Sequence, residues 1–203
     1  EQQQPALVLP AINSSVSWMS LFSAELRLAS LEIDRPELQV RRGVQGEFYI
    51  GGVALYNHGG GHDMADWVLH QSRTGVREAL VAWVDERRDA PPLVLQQVNL
   101  LIESSFSHHR FALRALPPAR LATPLDVRGD MQGPSFDDIS DWNGQLYTQL
   151  DYTDVTEWRP WLDLPGEFSR GRGALRGWLG IEDGRVAQIT ADLDLRDAVT
   201  RLS

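Results

Sequence analysis

Apolar and polar positions alternate along most of this chain, in short runs separated by turn residues. Leu26–Ile33 is one such run; Asp34–Pro36 breaks it, and Glu37–Arg41 resumes it. Gly43–Gly46 turns the chain and Glu47–Val53 follows. The pattern returns at Ala79–Asp85, Leu93–Ile102, His109–Ala115, Gln145–Asp151, Ala174–Ile181 and Gln188–Leu195. Strand side chains alternate between faces, so each run carries one apolar row and one mixed or polar row. Successive runs joined by short polar turns predict a long antiparallel sheet. Its apolar face has to be covered by something, and the cover is the functional question.

The longer strands are expected at Arg73–Glu86, Leu93–Glu103, His109–Leu116, Leu125–Met131 and Trp142–Asp151. A bulge is expected at Gln96–Gln97, where the apolar phase shifts from odd to even positions. Asp183–Gly184 predicts a closing hairpin of Arg172–Ile181 with Arg185–Leu195. Three segments read as short helices. Ser14–Glu25, centred on Ser17–Phe22, places Val16, Met19 and Phe22 on one face behind a Ser14 or Ser15 cap. Asp63–Gln71 groups Met64, Trp67, Val68 and Gln71. Val155–Leu162 has Asp154 as cap and Glu157 at the capping-box position. Residues Glu1–Pro10 read as a lead-in. The expected fold is therefore mainly β: one long, twisted and curved antiparallel sheet, groove-like, with two or three short α-helices. No repeat of fixed period suggests a propeller or solenoid.

The 203 residues are treated as a single β-rich unit, 1–203, with 42% apolar residues to build a core. Glu1 is not Met, and Asp194–Ser203 stops within an alternating pattern, so a segment truncated at both ends is expected. A net charge of −9 argues against nucleic acid, which needs basic groups to displace phosphate counterions. All basic residues are Arg, read here mainly as codon bias. With no cysteine, disulfides and thiolate metal sites are excluded. No apolar stretch approaches the roughly 20 residues of a membrane-spanning helix.

Candidate chemistry is sparse. His58-Gly59-Gly60-Gly61-His62 could be an oxyanion loop, but the chain has no Gly-x-Ser-x-Gly elbow to supply a nucleophile. His58, His62 and Asp63 offer too few fixed ligands for a metal. His109 falls on the row of Phe111, Leu113 and Ala115, where a structural strand histidine is expected rather than a base. Asp85, Glu86, Arg87, Arg88 and Asp89 read as a solvated ion-pair cluster. Asp137, Asp138 and Asp141 lie in a loop without calcium-site spacing. Most of the seven Trp are expected to pack helices on the sheet. The residues thus name no catalytic set, no metal and no cofactor.

Asp66–Gln71 followed by Arg77–Glu86 resembles the YhdP-type, AsmA-like proteins of Gram-negative bacteria. Ala90–Leu100, His109–Leu113, Trp158–Leu162 and Gly171–Leu175 are similar to the same family, and Leu31–Leu38 resembles its strand–proline–strand element. The resemblance spans most of residues 16–200. It implies a bridge-like lipid carrier whose curled sheet has an apolar floor. It also implies an inner-membrane anchor outside this segment, a periplasmic location, and movement of phospholipid between inner and outer membrane. Enzyme activity is not implied. The expected partners are phospholipid acyl chains and neighbouring segments of the same chain.

A closed β-sandwich core produces the same alternation, as would a non-catalytic scaffold; the resemblance favours the groove. A hydrolase using His58, His62 or His109 is the remaining alternative. On the groove reading, the lipid-contact row is Ala79, Val81 and Trp83 on one strand. It continues through Leu93, Leu95, Val98, Leu100 and Ile102 on the next, and Phe111 and Leu113, with Ala115, on the third. Arg110 and Arg114 belong to the opposite face.

Overall fold

A computed structural model describes residues 7–8, 11–16, 28–54, 70–134, 139–161 and 167–201. Its strands are β1 (Leu7–Val8), β2 (Ala11–Val16), β3 (Leu28–Asp34), β4 (Glu37–Arg42), β5 (Phe48–Ile50), β6 (Val53–Ala54) and β7 (Arg73–Asp85). They continue with β8 (Leu93–Ser105), β9 (His108–Leu116), β10 (Leu125–Gln132), β11 (Asn143–Asp154), β12 (Glu167–Glu182) and β13 (Arg185–Arg201). All thirteen belong to one open, curved sheet. From β13 back to β7 the strands neighbour one another in sequence order, each antiparallel to the next.

The sheet, otherwise antiparallel as expected, is parallel at one edge of β7. There β3 and β4 both pair parallel to it, β3 along Thr74–Arg77 and β4 along Leu80–Asp85. The two act as halves of one strand bent at Arg35–Pro36, with β2 and β1 antiparallel beyond them. Alternation within a run sets which face a side chain takes; it carries no information about the direction of the neighbouring strand.

Three residues with left-handed backbone lie across this part of the sheet: Arg35 (φ 50°), Glu78 (φ 50°) and Gln97 (φ 48°). Each inserts one extra residue into its strand. The ladder shifts register between Val76 and Ala79 in β7 and between Gln96 and Asn99 in β8. The expected bulge at Gln96–Gln97 is therefore present, matched by one at Glu78. Because β3–β4, β7 and β8 each gain one residue, apolar side chains remain on the same face on either side of the crease.

Among the described residues there is no α-helix. Ser14–Val16 is strand, part of β2, because its residues pair with Leu28–Leu31 of β3; residues 17–27 lie outside the described residues. Within the lead-in, Leu7–Val8 pairs with β4. For the expected helix Asp63–Gln71, residues 63–69 lie outside the described residues and His70–Gln71 forms a turn and bend. Val155–Leu162 is a single 3₁₀ turn, Val155–Trp158, with residue 162 outside the described residues. Its Asp154 cap is as expected, accepting the Thr156 N–H. A second short 3₁₀ turn covers Ile139–Asp141. Asp183 (φ 48°) and Gly184 (φ 66°) form the closing hairpin turn, both in the left-handed region such a turn requires.

Candidate functional site

From β7 to β13 the register sorts the paired strand residues into two faces. On one face, Ile33, Val76, Leu100, Leu113, Val127, Thr148, Gly177 and Ala191 follow one another across eight strands in direct register. One pair further along the strands run Ile102, Phe111, Gly129, Leu146, Leu179 and Ile189. On the other side of the first row, Ala79, Val98 and Ala115 pack together, and Leu150, Leu175 and Leu193 extend the surface to β13. The result is a continuous apolar band running across the strands.

The opposite face carries charge. Arg73 pairs with Glu103 at 2.8 Å, Arg110 with Asp130 at 3.1 Å, and Arg114 with Asp126 at 3.0 Å. Arg77 pairs with Glu32 at 2.8 Å. Guanidinium bonds, from Arg128 and then Arg114, hold the Asp126 carboxyl below the usual carboxylate range. Hydrogen bonds from His108 and then Arg110 do the same for Asp130. Such exposed pairs add little to stability, because water screens them. Their consequence is to keep this face in water.

Each strand end of the apolar band is closed by tryptophan-bearing loops. At one end Trp142 and Met131 are buried, with Phe111, Leu146 and Ile181 packed on them. His109 stacks on Trp142 at 5.3 Å between ring centroids. At the other end Leu93, Leu121 and Trp161 are buried together, flanked by Trp83, Leu95 and Trp158. The Trp161 indole N–H donates to the Pro91 carbonyl at 2.9 Å, and that of Trp158 to the Thr153 hydroxyl oxygen at 2.9 Å. Between these caps the band is half-buried, and towards β13 it opens further: Ile189 is 71% exposed.

The ten residues expected as the lipid-contact row all lie on this one face, but in three settings. Leu100, Ile102, Phe111, Leu113 and Val81 are half-buried on the open band. Ala79 and Val98 are buried, Ala79 completely, in the cluster with Ala115. Leu93 is sealed beneath Leu121 and Trp161, and Trp83 and Leu95 belong to the same cap. The sequence reading stopped at β9 and missed the continuation through Val127, Leu146 and Leu179. Their alternation is present in the sequence, interrupted by Gly129 and Gly177.

The candidate chemical groups are bound internally. His109 is buried; its Nε2–H donates to the Gly133 carbonyl at 3.1 Å, and its Nδ1 accepts from the Ser104 hydroxyl at 3.0 Å. Burial pushes its pKa below the ordinary imidazole value. Asp85, expected in a solvated cluster, is buried instead, because Arg42 folds over it and Arg88 lies alongside. Glu86 of the same cluster pairs with Arg41 at 2.9 Å. His58, His62 and Asp63 lie outside the described residues, as do Asp137 and Asp138; Asp141 is exposed. Among the described residues no group of three or more His, Asp or Glu could hold a metal ion. No described helix is long and apolar enough to cross a membrane.

No curated protein matches the chain, and no solved structure matches it. A family model described as the YhdP protein matches residues 1–203. An open β-sheet with one apolar and one charged face is the architecture that resemblance leads one to expect, and the match covers the whole length. The chain belongs to the YhdP family, AsmA-like cell-envelope proteins of bridge-like lipid transport.

Proposed function

We propose that this chain is a segment of a periplasmic conduit that passes phospholipid between inner and outer membrane, with the apolar band as its floor. The observation that carries the reading is the band itself, apolar across eight strands and, among the described residues, capped at the strand ends. Acyl chains need no directional bonds. Each methylene kept from water contributes about 0.8 kcal/mol wherever it lies along an apolar track. A carrier built this way needs continuity rather than a pocket. The band's length runs from strand to strand, so neighbouring segments of the same chain can extend it by adding strands. An anchor elsewhere in the protein would hold the conduit to the inner membrane. Catalysis has no part in this role.

The closed-sandwich alternative requires a second sheet over the apolar face. The described strands all belong to one sheet, which favours the groove. The test is a photo-crosslinking residue placed at Leu100 or at Arg114 in the full-length protein. Phospholipid adducts are expected from Leu100 and not from Arg114. The opposite result would reverse the faces, and adducts from neither would support a closed core.

A further inference from the structure

On the apolar band, the ring of Phe111 in β9 lies across Gly129, its direct partner in β10. A β-carbon at position 129 would stand 2.1 Å from Phe111 Cε1 and 2.4 Å from Cζ. No side chain fits there while the ring keeps its place. The backbone of Gly129 does not itself call for glycine, since it is not among the positive-φ glycines. Glycine within a strand is destabilising relative to alanine. The ring above it is what that cost accommodates. Gly177 repeats the arrangement more loosely, with Thr148 Cγ2 at 3.1 Å from where its β-carbon would be. Phe111 also packs on the Met131–Trp142 cap and stays half-buried.

We infer that Gly129 holds Phe111 flat against the sheet, and that this pair sets the clear depth of the track where it crosses from β9 to β10. The inference rests on the conduit reading. A flat ring is part of the floor; a ring displaced by a side chain at 129 stands up into the path. Phe111 then determines which chains pass, although it forms no directional bond with them.

The test places a photo-crosslinking residue at Leu100, on the β8 side of the pair, or at Leu179, on the β12 side. It uses the full-length protein in its membranes, with phospholipid adducts read by mass spectrometry. In Gly129→Ala, the ratio of Leu179 to Leu100 adducts is expected to change severalfold while the Tm of the protein stays close to that of the parent. Adding Phe111→Ala to that variant is expected to restore the ratio. An unchanged ratio in Gly129→Ala overturns the inference, as does failure of the double variant to restore it. Loss of adducts at both positions together with a fall in Tm makes Gly129 a folding residue only, and also overturns it. Absence of adducts at both positions in the unsubstituted protein overturns the conduit reading instead, and the inference falls with it.

Discussion

The side-chain oxygen of Asn99 accepts the backbone N–H of Glu78 at 3.2 Å, joining the bulge of β7 to that of β8. The same amide donates to the Gln97 carbonyl at 2.7 Å. One side chain thus satisfies a backbone donor and a backbone acceptor at the two places where the ladder is interrupted. A left-handed backbone costs a non-glycine residue about 1–2 kcal/mol, and both bulges contain one. Asn99→Ala is expected to lower stability by about 1–2 kcal/mol, the net value of one or two such bonds. Urea unfolding checks this. Asn99→Asp, which keeps the acceptor and loses the donor, should fall between.

Charge placed on the apolar band should stop lipid passage, while the same change on the opposite face should not. Leu100→Asp and Val81→Arg are expected to abolish phospholipid adducts along the band. Changes at Arg110 or Arg114 should leave them intact. Crosslinking with quantitative lipid extraction distinguishes the two groups, and equal effects on both faces would contradict the assignment.

The strand-end cap should matter more to stability than the open edge. Leu121 is fully buried between Leu93 and Trp161. Leu121→Ala should cost about 2–5 kcal/mol, the range for emptying a packed site. Leu193, 54% exposed on β13, has little contact to lose. Leu193→Ala should stay within about 0.5 kcal/mol, as surface substitutions do. Comparing denaturation midpoints of the two variants is sufficient.

His109 predicts a loss of stability on mild acidification. Burial lowers its pKa in the fold below the ordinary imidazole value, and the neighbouring His108 and His70 act in the same direction. The unfolded chain therefore binds more protons than the folded one between the two values. Stability is fully present above the unfolded pKa and declines as pH falls through the folded one. Denaturation midpoints between neutral pH and about pH 5 should show that decline. His109→Gln should flatten it. The depressed carboxyls Asp126 and Asp130 add a separate loss at more acidic pH.

Much of the sheet was legible because alternation is a local property. Residues such as Val81 and Leu100 declare a face whatever their partners do, and the phase change at Gln96–Gln97 announced its bulge. The matching change in β7, from Val76 to Ala79, was equally visible but went unread. Parallel pairing at β7 was not legible, because strand direction leaves no mark on the pattern. Val16, Met19 and Phe22 have helical spacing, yet Ala11–Val16 found a ladder on β3 that local spacing could not foresee. The band beyond β9 was hidden because Gly129 and Gly177 interrupt its apolar rows. In the fold, those gaps are where neighbouring side chains lie down.

The three extra residues along the crease behave like a reading frame shared by adjacent strands. Deleting Glu78 alone would leave Val76 and Ala79 two residues apart, still on one face, but β7 would be one residue short against β3–β4 and β8, which keep their own extra residues. Restoring the match by length alone would require removing Gln97 and Arg35 as well. Strands β3–β4, β7 and β8 are thus matched in length across the crease, and the mismatch is taken up between β8 and β9.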